Sequence, residues 1–543
     1  MIYKSPLPDI SVPNEGLYHY IFETAERQGQ QDAPVFIDAD TGRTVTVGEL
    51  RTNSRKFAGA LQTKLGASRG DVIAVYSPND VDYPLVTLGS LAAGLVVTTV
   101  SSAYLASELT TQLTDSGARY IVADYAALSV AKEAAAATGI PDEHVIVLGA
   151  RDGSADKLVF DGHTTVHGLI ADASADLPLV ELSPEEQAET TAFLCYSSGT
   201  TGVPKGVQLT HRSVVANFCQ YMAQERAWWD QLPTQDIQMA LLPFYHIYGL
   251  NVLMHIPILR RSQTIVMRKF QFPQFLDLIQ RYRVTLAYVV PPICLALAKH
   301  PLVDQYDLSS LRDLPCAAAP LSVELATAVR KRLGVVVRQG LGMTEASPAV
   351  LVMSADNVVD GSVGQLIPSI TAKIIDAEGN EVGPGEAGEL CVRGPNIMKG
   401  YWNQPEATAA TIDADGYLHT GDVVRVDERG YFFVIDRIKE FIKYKGFQVA
   451  PAELEAVLLT HDAVADAAVI GIQCEEQATE LPKAYVVLKP THQDTTTQQI
   501  AEFVAERVAT HKKLRGGVEF IAAIPRTESG KILRRDLRAR RQA

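Results

Sequence analysis

Between Tyr196 and Gly206 the chain reads YSSGTTGVPKG, which sets the hydroxyls of Ser197, Ser198, Thr200 and Thr201 among Gly199, Gly202 and Gly206, with Lys205 near the end. Glycines let a backbone turn tightly and bring its N–H groups against an anion, and hydroxyls and an ammonium add further donors. That set suits a polyphosphate. It is not a Walker A loop, whose spacing would need Gly at Pro204 and Ser or Thr at Gly206. A flexible Ser/Gly linker is the plain alternative, and Pro204, Lys205 and the flanking apolar runs weigh against it. Upstream, Thr191 to Cys195 predicts a short buried strand, and a helical pattern carrying Val214, Phe218, Tyr221 and Met222 begins only after Thr210. Phosphates are therefore expected away from a helix N-terminus, unlike those of P-loop enzymes.

Four more stretches are too polar or glycine-rich to be plain core. PFYHIYGLN (243–251) sets His246 among aromatics, and QGLGMTE (339–345) ends in Thr344 and Glu345. YLHTGD (417–422) ends in Asp422, and PRTESGKILRRDL (525–537) holds Lys531 in a polar turn. Each has an ordinary alternative: a satisfied core histidine, a helix-start carboxylate, a common turn, a solvated lysine.

The elements that must position these residues follow from periodicity. Strand-like runs at Val72 to Tyr76, Val96 to Val100, Tyr120 to Ala123 and Val145 to Leu148 alternate with helical ones, the last of them alanine-rich (Ser129 to Ala137). The alternation resumes at Gln238 to Leu242, Thr264 to Met267, Leu286 to Val290 and Val335 to Arg338. Such a pattern predicts an α/β fold of doubly wound, mostly parallel sheets, which bind ligands beyond the carboxyl ends of their strands. From Ile374 to Ile435 strands separated by Gly, Pro, Asp and Asn turns predict a β-rich subdomain. A boundary is expected at Asp436-Arg437, giving a large unit over 1–436 and a small α+β unit over 437–543 with a helix opening at Pro451.

Composition narrows the function class. A chain of 543 residues exceeds one core, and a net charge of −14 argues against nucleic acid as the main partner. The six cysteines are scattered with no CxxC pair and no histidine cluster at metal-ligand spacing, so a reducing compartment without structural zinc is expected. Proline in MIYKSPLPDISVP argues against a signal peptide, no apolar run nears a membrane span, and the ending Arg541-Gln542-Ala543 is not a peroxisomal address. A cytoplasmic protein is expected, as monomer or homodimer.

Taken together and in this order, the motifs resemble the adenylate-forming superfamily: acyl-CoA synthetases, beetle luciferases and the adenylation domains of peptide synthetases. YSSGTTGVPKGVQLTHRS, FYHIYGLN, VVPPICLALAK, YDLSSLR and IKYKGFQVAPAELE look most like 4-coumarate–CoA ligases. The resemblance implies that a carboxylate attacks the α-phosphate of ATP, and that the thiol of CoA then displaces AMP. Ser197 to Lys205 would hold the β- and γ-phosphates, Thr344 the α-phosphate, and Glu345 a Mg²⁺ ion. Asp422 and Arg437 would meet the ribose, Gly340 and Leu341 would lie along the nucleotide, and His246 would close the pocket over the carboxylate. Lys531 would bridge carboxylate and α-phosphate. A hinge at Lys439 would then bring Lys443, Gly446 and Gln448 in for thioester formation. His511-Lys512-Lys513-Leu514-Arg515 reads as an exposed basic turn or, alternatively, a CoA phosphate contact.

Two departures stand out. Relatives usually carry Tyr or Phe at Leu341, so loss of ring stacking, worth about 0.5–1.5 kcal/mol, predicts weaker ATP binding. Ala317-Ala318-Ala319-Pro320 replaces the usual Gly-Gly-Ala, and its methyls are expected to narrow the acyl pocket. That pocket would be lined by Tyr245, Tyr248, Val252, Lys299, Gly340, Ala317, Ala318, Pro348 and Ala349. With no carboxylate near His246 to pair with an ammonium, an aromatic acid such as a hydroxycinnamate or benzoate comes first. A medium-chain fatty acid, a luciferase-like adenylating enzyme and an inactive nucleotide sensor are the alternatives. No Ser-bearing carrier segment follows Lys531, which argues against a carrier-loading enzyme.

Overall fold

The computed structural model describes every residue except 28–30, 150–156, 177, 198–203, 446, 475, 476, 478 and 541–543, and the side chains of 23–27 lie outside the description too. Among the described residues, two large sheets carry the site. The first runs, edge to edge, Gly400–Tyr401, Lys205–Thr210, Thr191–Ser197, Val96–Val100, Val72–Tyr76, Ala118–Asp124, Val145–Leu148. Its last five strands pair in parallel, and Thr191–Ser197, Lys205–Thr210 and Gly400–Tyr401 add antiparallel pairings at one edge. Every residue of Val72–Tyr76 and Val96–Val100 is buried, as strands covered on both faces require.

The second sheet is built around parallel pairings of Pro34–Asp38, Gln263–Val266, Ile237–Ala240, Leu286–Ala287, Asp313–Cys316 and Val336–Gly342. Ala349–Val352 then folds back antiparallel on Val336–Gly342. Leu286–Ala287 is shorter than the strand expected to run to Val290, but pairing resumes as a parallel bridge between Val289 and Cys316 before the helix Pro291–Lys299 opens. The helix expected after Thr210 spans His211–Trp229, capped by the Thr210 side chain, which accepts from the N–H of Ser213 at 3.1 Å.

The β-rich stretch is an antiparallel sheet of Tyr3–Lys4, Thr371–Ile375, Gly388–Arg393, Leu418–Val426 and Phe432–Arg437, with the short helix Pro405–Ala409 beside it. After it come a two-stranded ribbon, Ile442–Tyr444 with Phe447–Val449, and a small sheet of Val464–Cys474, Thr479–Leu488 and Val518–Phe520. The helices Pro451–Leu459 and Thr497–Ala505 pack on this sheet around Leu454, Leu458, Val469, Val486, Ile500 and Val504. This core is separate from that of the preceding residues.

Candidate active site

The hairpin Thr191–Ser197 to Lys205–Thr210 pairs Ser197 directly with Lys205 across its open end. Ser198, Gly199, Thr200, Thr201 and Gly202 lie outside the described residues. The two flanking residues already meet the expected metal ligand and its neighbour. The Ser197 hydroxyl donates to Oε1 of Glu345 at 3.3 Å, and the hydroxyl of Tyr401 donates to the same oxygen at 3.0 Å. The Lys205 ammonium lies 4.9 Å from the Tyr401 ring centroid, a cation–π separation.

Thr344 and Glu345, both buried, follow Val336–Gly342 at its carboxyl end. Three buried amides hold the segment they begin. Asn396 Nδ2 donates to the carbonyls of Ala346 at 2.7 Å and Ala349 at 3.1 Å, and Asn251 Nδ2 to that of Ser347 at 2.7 Å. Asn217 accepts from the N–H of Ala349 at 3.1 Å and donates to its carbonyl at 3.0 Å. Gly340 and Leu341, on the same strand, pair with Val352 and Leu351 and are half-buried.

His246 sits in a turn pinned from two sides. Asn79 Oδ1 accepts the N–H of Phe244 at 2.7 Å, and the Thr99 hydroxyl donates to the carbonyl of Tyr245 at 2.7 Å. The following π-type turn of helix, Gly249–His255, comes so close to Pro243 that a Cβ on Gly249 would lie 2.0 Å from the Pro243 carbonyl oxygen, so only glycine fits. Burial, with help from Lys531, holds the His246 imidazole down to about 3; it is neutral at physiological pH. Tyr248 stands edge-on to Tyr288, ring centroids 6.1 Å apart, and the Tyr288 and Tyr221 hydroxyls meet at 3.0 Å. Val252, Pro348 and Ala349 are buried, and Ala317 and Ala318 half-buried. Ala318 adopts φ 73°, a left-handed conformation that disfavours any side chain.

Asp422 is buried, and Oδ1 accepts from Nε of Arg437 at 2.8 Å across the strand pair that holds both. Burial raises the Asp422 carboxyl above its ordinary range, although Arg437 and Lys531 pull it down. Lys531 comes from the C-terminal part. Its turn is closed by Thr527, whose N–H donates to the Lys531 carbonyl at 2.9 Å and whose hydroxyl accepts the Lys531 N–H at 3.1 Å. Gly530, at φ 83°, packs this turn on the N-terminal part: a Cβ there would lie 3.0 Å from Cγ2 of Val290. The Tyr245 hydroxyl donates to the Glu528 carboxylate in the same turn. Burial and then Arg437 lower the Lys531 ammonium, and Glu345 and Asp422 raise it in part. By exposed surface the lysine is nonetheless only half-buried.

Both halves of the chain match known families. Residues 21–402 match the family model described as AMP-binding enzyme, and residues 453–531 the AMP-binding enzyme C-terminal domain. The chain belongs to the AMP-binding enzyme family. It is 41% identical to a 4-coumarate–CoA ligase of Pinus taeda over 99% of this chain and 97% of that protein. It is 39% identical to 4-coumarate–CoA ligase 1 of Petroselinum crispum over the same shares. Among solved structures it resembles ATP-bound MatB from Rhodopseudomonas palustris with a TM-score of 0.85 and 27% identity, over 97% of this chain and 99% of that one.

In this AMP-binding enzyme the other anticipated residues divide. Lys443 and Gln448 face each other on the ribbon Ile442–Tyr444 with Phe447–Val449 and are exposed, as is Lys439; Gly446 lies outside the described residues. Lys299, anticipated in the acyl wall, ends the helix Pro291–Lys299 exposed on the rim, with Lys489 and Asp462 of the C-terminal part as its charged neighbours. Partial burial at that rim, and then Lys489, lower its ammonium from the ordinary range. In the basic run Lys512 pairs with Glu453 at 2.6 Å and Arg515 Nε donates to the Tyr444 hydroxyl at 2.7 Å. Sequence reasoning missed Tyr401, Tyr288, the three asparagines and Glu528. Only Tyr401 left a trace, as an aromatic after Lys399-Gly400 in a turn-rich stretch.

Proposed function

We propose that this AMP-binding enzyme is an ATP-dependent acid–thiol ligase that activates an aromatic carboxylic acid, a hydroxycinnamate or benzoate first, as acyl-AMP and transfers it to CoA. One observation carries the reading: the Lys531 turn of the C-terminal part docks on Val290 and Tyr245 of the N-terminal part, which brings its ammonium within electrostatic reach of His246, Glu345 and Asp422, and of Arg437 at the boundary. An ammonium is thus offered where a carboxylate, a phosphate and a ribose must converge. The names of the relatives at about 40% identity support the same chemistry and the aromatic substrate.

The residues divide the work as follows. Oδ2 of Asp422 accepts from a ribose hydroxyl, with Arg437 beside the sugar. Ser197, Lys205 and the loop between them hold the β- and γ-phosphates, and Thr344 meets the α-phosphate. The carboxylate oxygen of the acid attacks the α-phosphorus and pyrophosphate leaves. Lys531 lies between the two anions and offsets the negative charge that brings them to repel each other, an effect of the kind worth about 10²–10³ in rate. His246, neutral, closes the pocket without adding charge. In the second step the CoA thiol sulfur bonds to the acyl carbon, its proton is lost, and AMP departs with the bonding pair.

Glu345, a carboxylate met by the hydroxyls of Ser197 and Tyr401, suits a hard cation, and Mg²⁺ held there would neutralise phosphate charge. Residues 1–436 are read as the nucleotide- and acyl-binding unit and 437–543 as a cap that turns about Lys439 to present Lys443, Gly446 and Gln448. A cytoplasmic monomer or homodimer fits this reading. A medium-chain fatty acid is the second substrate class, favoured by the aliphatic Val252 and Ala317 to Ala319. Pyrophosphate release measured over a panel of aromatic and aliphatic acids, then thioester formation on adding CoA, tests both. Release with no acid, or acyl-AMP that CoA never consumes, refutes the proposal.

A further inference from the structure

Away from the phosphate loop, one cluster is left with no task in the ligase reaction. Glu389 and Cys391 lie on Gly388–Arg393, and His419 lies on Leu418–Val426, paired opposite Cys391. His419 Nδ1 is 3.0 Å from Oε2 of Glu389 and 3.5 Å from Sγ of Cys391. All three candidate ligand atoms lie within 4.8 Å of one another. A tetrahedral zinc ion with ordinary bond lengths needs edges of about 3.6 Å from sulfur to nitrogen and about 3.3 Å from nitrogen to oxygen. The cluster matches the first edge and misses the second by a few tenths of an ångström.

Its surroundings fit a metal as well. The far nitrogen of His419, Nε2, faces Oδ2 of Asp413 at 3.7 Å, the carboxylate–histidine arrangement that orients metal-bound imidazoles. Lys373 holds that same Asp413 oxygen at 2.8 Å. Glu389 and His419 keep part of their surface, so an ion has a way in. Opposite Glu389 and Cys391 the pairing skips: Glu389 faces Val423 while Cys391 faces His419, and Gly421 bulges out at φ 70°. The bulge turns Gly421 N–H onto Oε1 of Glu389 at 3.0 Å and leaves Oε2 for the cluster.

We propose that Glu389, Cys391 and His419 form a site for one soft divalent cation, Zn²⁺ by ligand type, with solvent as the fourth ligand and Asp413 orienting the imidazole. On binding, the thiol proton leaves to solvent and the imidazole proton shifts to Nε2, toward Asp413. Since Gly421 precedes Asp422, the ion ties these strands together directly behind the ribose carboxylate. The spread cysteines and histidines hide the site in the sequence, because only strand register brings residues 391 and 419 together.

The test uses the full chain stripped with a chelator and titrated with Co²⁺ alone. A sulfur-to-cobalt charge-transfer absorption that saturates at one ion per chain, collapses on adding Zn²⁺ and ignores excess Mg²⁺ is expected. Cys391→Ser removes the band, His419→Gln removes it or weakens binding at least about tenfold, and Asp413→Asn weakens it about tenfold. A thermal melt of each stripped variant establishes that it is folded, and His419→Gln decides if Cys391→Ser is not. Absence of a band in the parent protein, or a band that survives both ligand substitutions, overturns the site.

Discussion

Nε of Arg437 donates to Oδ1 of Asp422 at 2.8 Å, and the second oxygen of that carboxylate, Oδ2, is buried without a hydrogen-bond partner among the described residues. A bare buried acceptor costs about 1–3 kcal/mol unless something donates to it. In the proposed function that donor is a ribose hydroxyl, and a nucleotide held there would relieve the cost.

Asp422→Asn keeps the shape and replaces one acceptor by an amide that donates. ATP affinity should fall about 10- to 100-fold, corresponding to about 1.4–2.8 kcal/mol, while affinity for CoA is unchanged. Calorimetric titration with each ligand checks this. Unaltered ATP binding removes Asp422 from the ribose site.

Lys531 and the exposed Lys443 should fail in opposite ways. Lys531→Ala should slow acyl-AMP formation by about 10²–10³ and leave thioester formation from supplied acyl-AMP nearly intact. Lys443→Ala should do the reverse. Rapid-quench assays of the two half-reactions decide it, and equal damage to both from each change contradicts a turning cap.

The hydrogen bond from Tyr245 to Glu528 spans the two parts of the chain beside Lys531. Glu528→Gln and Tyr245→Phe should each slow adenylation several-fold, about 1 kcal/mol of lost positioning, with the thioester step unchanged or faster. Tyr245 also belongs to the proposed acyl wall, so Glu528→Gln is the cleaner variant. An acid KM raised by Glu528→Gln with an unaltered rate constant argues for a pocket role instead.

Ala318 holds φ 73°, where a methyl group costs about 1–2 kcal/mol, and glycine returns about 0.4–1 kcal/mol of that as unfolded-state entropy. Ala318→Gly should therefore stabilise the protein by roughly 0.5–1 kcal/mol and open the acyl wall to bulkier acids. Denaturant unfolding measures the first and a substrate panel the second. A destabilised variant shows that the methyl packs more usefully than its backbone strain costs.

His255 is fully buried, and burial lowers its imidazole to about 3. Between that value and its ordinary 6.5 the unfolded chain binds a proton that the folded one refuses. Stability from this group is therefore full above pH 6.5 and is lost as pH falls toward 3. Carboxyls such as Asp436, raised by burial to about 6, titrate in the opposite sense over part of the window. A comparison isolates the histidine: His255→Gln should show a stability slope shallower by about 1.4 kcal/mol per pH unit between pH 4 and 6. Parallel slopes for parent and variant would falsify the buried neutral imidazole.

Much of this was legible in the chain. Val72–Tyr76, Val96–Val100 and Val145–Leu148 span the runs read as strands, since strands covered on both faces are largely apolar, and the hydroxyls of the buried Thr98 and Thr99 find carbonyl partners in Leu194 and Tyr245. Ser197, Lys205, Thr344, Glu345, Asp422 and Lys531 stood out as candidates because anion and cation chemistry admits few side chains. Tyr401 and Glu528 did not: an ordinary tyrosine and an ordinary glutamate gain meaning only from Glu345 and Tyr245, far away in sequence.

The sequence by itself determined the fold class and the order of the motifs, because periodicity and residue chemistry are local properties that survive without coordinates, and the family through the resemblance of those motifs to known enzymes. Only the tertiary structure decided that Lys531 meets the site while Lys443 stays in solvent, that Oδ2 of Asp422 is left bare, and that Glu389, Cys391 and His419 converge. Those outcomes depend on strand register, on a bulge at one glycine and on how two separately cored parts dock, and such long-range geometry is set by the packing of the whole chain.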